Sequence, residues 1–561
     1  MPHLFFLSTS MCFTLQALTA NYHASNGGHA LRPGLIATCV ALVCLQPGLV
    51  LANDVASPTF SLPAVQVKSR EVPVTEFQFS GNTVISSAEL REMTEAYIGK
   101  RVSYAELEDL RTRISRLYVE RGYLNSGAVL QVTEGEQPFP SGIVPVRLIE
   151  GRISEVRIKG EGRLRPAYLQ QRLINGDEAF NMPILQQRFQ LLLTDPLFEK
   201  INSRIIPGEQ PGMAILDMEV VRAKAYGVNL YANNYRAPSI GSQVLGVSGW
   251  VRNLTGYGDY LDASLAHSEG ADPVHLGWTM PVNSHGTSIK LGIDKGSSSV
   301  VGESLAAVDI KSSSSGYELG VNQALVHRLQ RKVELGLTYS QRDSQTSLLG
   351  EAFSFTPGEP DGYSKIKVVR FSQEWTERWE TQALAMRSVF AFGRNNIDNN
   401  ESGTHVPARR YRIWTGQLQY VKNLDKSGQQ IVLRASAQQT PDRLLPLERF
   451  SLGGVATVRG YRENAVVRDR AWLVNVEYHY PLPAWQDAGQ FKLIAFADMA
   501  SASNKDESAQ RLASLGAGLN WHRQKWSADM FLAKKLISLP GQNSGNLQDH
   551  GLHFQLTYHL F

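Results

Sequence analysis

From Tyr226 to Phe561, apolar and polar positions alternate in short runs. Tyr226, Val228, Leu230 and Ala232 alternate with Gly227, Asn229, Tyr231 and Asn233, and the same beat returns at residues 261–266, 289–294, 333–340, 472–480 and 552–560. A period of two predicts strands with one apolar and one polar face. The polar face is also rich in glycine, while aromatic residues such as Tyr260, Trp278 and Trp521 stand near strand ends. Lipid outside and water inside is the pattern of a transmembrane β-barrel, in which closure pairs every backbone polar group. A soluble β-sandwich alternates in the same way, but the aromatic strand ends and the export features described below favour the barrel. At roughly 20 residues per strand with its turns and loops, residues 224–561 predict an all-β barrel of about 16 antiparallel strands.

Upstream the period lengthens. Residues 74–79 alternate, Gly81-Asn82-Thr83 turns, and Ser87 is placed to cap a helix running to residue 98. Leu107, Leu110, Ile114 and Leu117 then recur at helical spacing within residues 103–120, and strands follow at 128–132 and 143–149. A second segment repeats this order: a strand at 153–158, helices at 166–174 and 183–193, and a hairpin of 201–206 with 213–221 around the Pro- and Gly-rich turn 207–212. Two β-α-α-β-β units, 73–150 and 151–223, are therefore predicted in tandem. The polar, Pro-punctuated stretch 53–72 reads as a tether.

All three cysteines, Cys12, Cys39 and Cys44, fall in the first 44 residues. An apolar run at 35–51 follows Arg32 and ends in Val50-Leu51-Ala52, a small-residue cleavage sequence, so residues 1–52 read as a long secretory leader cut after Ala52. Val43 before Cys44 is too bulky for a lipoprotein signal. The remaining chain contains no cysteine, a familiar pattern for an exported protein. The 561 residues contain no uninterrupted apolar run of about 18, which excludes a helical membrane bundle. A net charge of +4 spread over this length is no nucleic-acid signature. With 19% charged residues, the chain also lacks the balance of a disordered one.

No phosphate-binding loop, zinc-protease motif, nucleophile elbow or mature cysteine nucleophile is present, so neither a catalytic residue nor a cofactor is expected. His550, His553 and His559 cluster near the C-terminus, and read as lumen-lining residues rather than metal ligands. One segment stands apart: Gly453-Gly454, able to fold back sharply, precedes Val458-Arg459-Gly460-Tyr461. Some 40 residues on, Phe496 and Asp498 lie in the strand 491–499. An aspartate inside a spanning strand is costly unless it faces the lumen and has a partner. Arg459 can supply one through a bidentate fork.

These pieces resemble the outer-membrane transporters of two-partner secretion, which export haemolysins, filamentous haemagglutinins and contact-dependent toxins. The resemblance rests on residues 79–83 and 121–123, the turn 207–212, Val458-Arg459-Gly460-Tyr461 with Arg462-Glu463-Asn464, and Pro481-Leu482-Pro483 closing a strand. It implies two periplasmic polypeptide-transport-associated (POTRA) domains, a 16-stranded barrel in the outer membrane of a Gram-negative bacterium, and a loop whose arginine meets the aspartate of a strand motif. Ala500 stands where that motif has glycine, and only about 20 residues separate the expected cleavage site from the first POTRA domain. The implied partners are a secreted exoprotein with an N-terminal secretion domain, outer-membrane lipid, and the barrel assembly machinery during biogenesis. For exoprotein recognition the expected strand edges are 128–132 and 201–206, with Ala128, Leu130, Val132, Ile201 and Ile205. An assembly factor of the same superfamily is the alternative, against which two rather than three or more POTRA domains argue. A passive porin would have no reason to keep such domains.

Overall fold

In this computed structural model, residues 71–132, 139–174, 178–302, 306–398, 405–483, 488–540 and 545–561 are described. The expected leader (1–52) and nearly all of the tether lie outside them. Two compact units are present, one of residues 71–117 and 128–148, the other of residues 118–127 and 149–561.

In the first unit, β2 (Glu76–Ser80) runs parallel to β5 (Ile143–Ile149), and β4 (Gly127–Leu130) completes the order β2-β5-β4. Helix α1 (Ser87–Thr94) begins one residue earlier in its capping than the sequence suggests. Ser86, not Ser87, has the extended backbone of an N-cap, and its Oγ accepts from the Glu89 N–H at 3.2 Å. Helix α2 (Tyr104–Glu120) opens on a reciprocal box: the Glu106 carboxylate accepts from the Ser103 N–H at 2.7 Å, and the Ser103 hydroxyl accepts from the Glu106 N–H at 3.3 Å. The Ser103 N–H and the Ser103 hydroxyl, which donates to the same carboxylate at 2.8 Å, hold the Glu106 carboxyl below its ordinary value. Leu107, Leu110 and Ile114 on α2 are buried, as are the alternate residues Val144, Val146 and Leu148 of β5. The unit also contains an element that the sequence pattern missed. Strand β1 (Glu71–Pro73) pairs antiparallel with β3 (Arg101–Ser103), so the tether expected through residue 72 gives way to structure by Glu71. Three residues are too few for a period of two to register.

The next module repeats the plan: β6 (Arg152–Lys159), α3 (Pro166–Leu173), α4 (Met182–Leu193), β7 (Phe198–Pro207) and β8 (Met213–Arg222). β8 is central, parallel to β6 and antiparallel to β7. Leu169 and Leu173 from α3, Leu185 and Leu192 from α4, and Ile201, Leu216, Met218 and Val220 from the sheet form its core. This module meets the barrel turn 253–259. The Arg165 N–H donates to the Gly256 carbonyl at 3.0 Å, its guanidinium lies 3.9 Å from the Tyr257 ring centroid, and Arg163 donates to the Leu254 carbonyl at 2.9 Å. Behind this contact, burial raises the Asp195 carboxyl above the ordinary carboxylate range, opposed by its hydrogen bonds from the Leu197 N–H and the Tyr168 hydroxyl.

Sixteen antiparallel strands, from β9 (Tyr226–Asn233) to β24 (Leu552–His559), close into a barrel. The closing pair runs from Gln555 opposite Asn233 to His559 opposite Asn229. Asn234 extends this seam: its side-chain amide donates to the Leu552 carbonyl at 2.8 Å, and its Oδ1 accepts from the Phe554 N–H at 2.9 Å. The Phe561 ring, out of step with the alternation of the last strand, lies 5.7 Å from Tyr226 across the seam. Leu265, Ile293, Leu319, Leu337, Phe392, Leu515 and Leu532 all point outward and are exposed. Such a surface would aggregate in water and is matched by lipid. Most turns at the end nearest the second module are short, and most loops at the other end are longer, as in outer-membrane barrels.

Purified protein lacking residues 1–52 is expected to migrate faster unheated than boiled in mild-detergent gels, and to give a β-dominated circular dichroism spectrum. Equal migration of both samples would contradict the closed barrel.

Candidate functional site

The loop 440–469 joins β19 (Gln430–Gln439) to β20 (Arg470–Pro481) at the end of the barrel opposite the second module, and folds back into the lumen. Its first part packs through the fully buried Leu444 and Leu445 against Ile366 and Val368 of β16 (Tyr363–Arg378), Ala391 of β17 (Gln382–Asn395), and Tyr411 and Ile413 of β18 (Arg410–Asn423). Glu448 adds an ion pair with Arg370 of β16, at 3.0 and 3.1 Å. The loop then forms a short hairpin of Phe450–Leu452 with Val466–Arg468. Leu452, Val458, Tyr461 and Val466 pack on the facing wall, against Leu473 of β20, Ala500 and Ala502 of β21 (Gln490–Ser503), and Leu512 of β22 (Gln510–Arg523). Ala500, the departure from the motif glycine, is thus part of the apolar seat of the loop. The loop crosses the lumen and is fastened on both sides.

Two glycines permit the tip to turn. Gly454 has φ +97°, and a side chain there would run into the Glu463 carboxyl group. Gly460 has φ +90°, and a Cβ would meet the Ala533 Cβ at 3.0 Å. The turn delivers Arg459 to the barrel wall. Its Nε and Nη2 donate to the two oxygens of Asp498 at 2.8 and 2.6 Å, and its backbone N–H adds a third bond to that carboxylate at 3.0 Å. The remaining fork position, Nη1, donates to Glu477 of β20 at 2.7 Å. Phe496 lies under the guanidinium at 3.5 Å to its centroid, and Phe531 of β23 (Trp526–Lys535) at 5.3 Å. All three charged residues are nearly sealed: Arg459 and Glu477 are 3% exposed and Asp498 2%. Burying charges on this scale is tolerable only where the charges are paired and hydrogen-bonded. Here Asn475 donates to Asp498 at 2.7 Å, and Arg434 and His479 bond Glu477 at 2.9 and 2.7 Å.

The neighbours of Arg459 are fastened as well. The Gly460 N–H donates to His553 Nε2 at 3.3 Å, and the Tyr461 hydroxyl reaches the carbonyls of Ala513 and Ile537 at 3.0 and 2.6 Å. Arg462 forms a fork with Asp549 at 2.5 and 2.8 Å.

Of the residues singled out from sequence, Val458, Arg459, Gly460, Tyr461, Phe496 and Asp498 come together at this one place. His553 joins them as the acceptor for Gly460. His559 bonds Asn229 and Ser527, and among the described residues no group of three or more His, Cys, Asp or Glu could hold a metal. Glu477, Asn475, Phe531 and Asp549 were missed. Strand alternation already put Glu477 and Asn475 on the polar face, but no spacing rule connected them to Arg459.

The remaining candidate residues lie on sheet edges. β4 and β7 are edge strands. The Gln131 N–H donates inward to the Pro145 carbonyl, and the Gly208 N–H to the Met213 carbonyl. Successive amides alternate sides, so Ala128, Leu130, Ile201 and Ile205 present theirs to the outer edge. At Ala128 the edge is already engaged: its N–H donates to Ser115 Oγ at 3.0 Å, and Arg111 reaches its carbonyl at 3.5 Å. Val132 lies past the end of β4 and is not part of the strand, which corrects the expected range 128–132.

A closed sixteen-strand barrel preceded in the chain by two β-α-α-β-β modules, with an inward-folded loop, is the architecture of POTRA-plus-barrel outer-membrane transporters. Residues 212–521 match the family of haemolysin secretion/activation proteins ShlB/FhaC/HecB, and residues 72–151 match the POTRA domain of ShlB type. The chain belongs to this haemolysin secretion/activation family, whose members are outer-membrane transporters with periplasmic POTRA domains. It is 22% identical over 493 residues to the heme/hemopexin transporter protein HuxB of Haemophilus influenzae (strain 86-028NP), covering 85% of each chain. It is also 22% identical over 488 residues to the outer membrane transporter CdiB of Dickeya dadantii (strain 3937), covering 84% of this chain and 82% of the other. The fold is shared with CdiB from Escherichia coli at TM-score 0.66 and 18% identity, covering 90% of this chain and 93% of that one.

The geometry sets an order among substitutions. Arg459→Ala leaves Asp498 with Asn475 as its neutral partner and Glu477 with Arg434 and His479, whereas Asp498→Ala leaves Arg459 its bond to Glu477, so the arginine substitution is expected to cost more. A double-mutant cycle on thermal unfolding in detergent should give a coupling of about 1–3 kcal/mol. Arg459→Lys should recover only part, because an ammonium cannot occupy the three fork positions at once. Additive losses would mean that the two side chains act separately.

Proposed function

We propose that this protein receives an unfolded exoprotein in the periplasm on its POTRA edges and passes it through the barrel to the cell surface. The observation that carries this reading is the seating of Val458-Arg459-Gly460-Tyr461 against Phe496 and Asp498 in a barrel whose sequence matches a secretion family. Recognition would proceed by strand addition, in which main-chain hydrogen bonds give affinity and neighbouring pockets give selectivity. Of the two edges, β7 has the stronger claim, since Ile201 and Ile205 both offer outward amides along a ten-residue strand. On β4, Ser115 and Arg111 already occupy Ala128, which leaves Leu130 as the docking point.

No nucleotide-binding motif is present in the chain, so directionality is assigned to folding of the exported partner outside the cell. A product that folds on arrival is removed from the unfolded pool and pulls the equilibrium outward. In this scheme the loop 440–469 sets the shape of the passage and the Arg459 cluster holds it in place. The barrel itself is expected to reach the membrane through the assembly machinery.

Ile205→Pro removes an outward donor without breaking a bond to β8, and Leu130→Pro does the same on β4. At equal barrel levels in the outer membrane, Ile205→Pro is expected to lower secretion of the partner at least about tenfold, and Leu130→Pro by a smaller factor. Undiminished secretion from both variants would remove strand addition at these edges from the account.

A further inference from the structure

On the outer, lipid-facing side of β16, β17 and β18, five basic side chains gather at one height. Lys365 and Lys367 are on β16, Arg394 is on β17, and Arg410 and Arg412 are on β18. Lys367 stands directly opposite Arg394, Arg394 directly opposite Arg410, and Arg412 opposite Phe392. Side chains directly opposite in an antiparallel pair are about 5 Å apart, and like charges there repel. Lys365 has a carboxylate nearby, Asp343 at 3.6 Å. Lys367, Arg394, Arg410 and Arg412 are exposed and form no ion pair among the described residues. The Asp442 carboxylate accepts from the Arg412 backbone N–H at 2.9 Å, at the edge of the group, but the directly opposed row of Lys367, Arg394 and Arg410 has no ion-pair partner among the described residues, and its mutual repulsion is relieved where an anion sits on it.

The height of the row indicates which anion. Outward positions of β17 below Arg394 are Leu384, Met386, Ser388, Phe390 and Phe392, and Val369 and Trp414 flank them on the neighbouring strands. From Leu384 to Arg394 is about 33 Å along a strand, or about 25 Å across the membrane at the usual strand tilt, the height of the apolar band of such barrels. The row therefore lies at the upper rim of that band, at the end opposite the periplasmic POTRA domains, level with the headgroups of the outer leaflet. Arginine forks match phosphate oxygens.

We propose that Lys367, Arg394, Arg410 and Arg412 form a binding site for the phosphate groups of a phosphorylated lipid in the outer leaflet, with its acyl chains on the apolar surface of Val369, Phe390, Phe392 and Trp414. The lipid source is preferred to a free anion because the cations adjoin a surface that only acyl chains cover. Other outward cations of the same rim, such as Arg511 on β22 and Lys534 on β23, have no directly opposed cation and serve as the comparison.

The test uses the protein, without its leader, in mild detergent, with lipid A carrying two phosphates, the same lipid dephosphorylated, and inorganic phosphate as probes. Bisphosphorylated lipid A is expected to bind and to raise the unfolding temperature, the dephosphorylated lipid to bind at least about tenfold more weakly, and inorganic phosphate to leave the unfolding temperature unchanged. Replacing all four residues with Gln should weaken lipid A binding by at least about tenfold. The combination Arg511→Gln with Lys534→Gln should leave it unaltered. Should the fourfold variant fail to assemble, Lys367→Gln with Arg410→Gln is expected to weaken binding measurably, and the charge-retaining pair Lys367→Arg with Arg410→Lys to preserve it. Equal binding of the dephosphorylated lipid, equal loss in the comparison variant, unchanged binding in the Gln variants, or stabilisation by inorganic phosphate alone would each overturn the proposal.

Discussion

One guanidinium, enclosed by two carboxylates on adjacent strands, determines where the long loop of this barrel can lie. Arg459 uses its whole fork and its own backbone N–H on Asp498 and Glu477, and Phe496 closes the face of the group. In a water-facing lumen such a cluster must exclude solvent to be strong, and the residues next to the arginine in the loop, Val458 and Tyr461, are fully buried in the apolar seat on the barrel wall. The dependence is mutual: the apolar seat keeps the charges dry, and the charges fix the register of the seat. Removing one charge exposes the others to an environment in which they are uncompensated.

That arrangement determines how the rest of the barrel is used. Leu444, Leu445 and Glu448 tie the loop to β16–β18 while its tip is tied to β20–β24, so the loop spans the lumen between two walls. A translocating chain must share the lumen with it. At the periplasmic end, the turn 253–259 is joined through Arg163 and Arg165 to the second POTRA-type module. In the proposed scheme, recognition, passage and shape belong to separate elements: the strand edge of β7, a polar wall, and a sealed ion cluster.

Much of this was legible in the chain because barrels and POTRA modules write simple periods. Alternation over residues 226–561 marked inward and outward faces, and Trp472, Val476, Tyr478 and Tyr480 do face lipid while Asn475, Glu477 and His479 face the lumen. The second module was readable to within about a residue except at β7, which begins at Phe198 rather than at the expected Ile201, since its helices are amphipathic and its hairpin turns on Pro207 and Gly212. Less legible was anything set by three-dimensional proximity. The β1–β3 pair is too short to show a period, and Ser86 and Ser87 are equivalent caps until backbone angles are known. Glu477 is an unremarkable lumen glutamate in sequence, and becomes the second partner of Arg459 only because β20 and β21 are neighbours in register. The engaged edge at Ala128 likewise depends on how α2 lies across the sheet, which a helical period does not specify.

The central claim, that the Arg459 cluster holds the loop in the lumen, is tested most directly by amide hydrogen exchange across residues 453–465 in lipid nanodiscs, comparing the native chain with Arg459→Ala. The account expects slow exchange of these amides in the native protein and exchange at least about a hundredfold faster in the variant, with strands β20 and β21 unchanged in both. Equal protection of the tip in the two proteins would show that the apolar seat alone holds the loop, and would contradict the role assigned here to the buried charges.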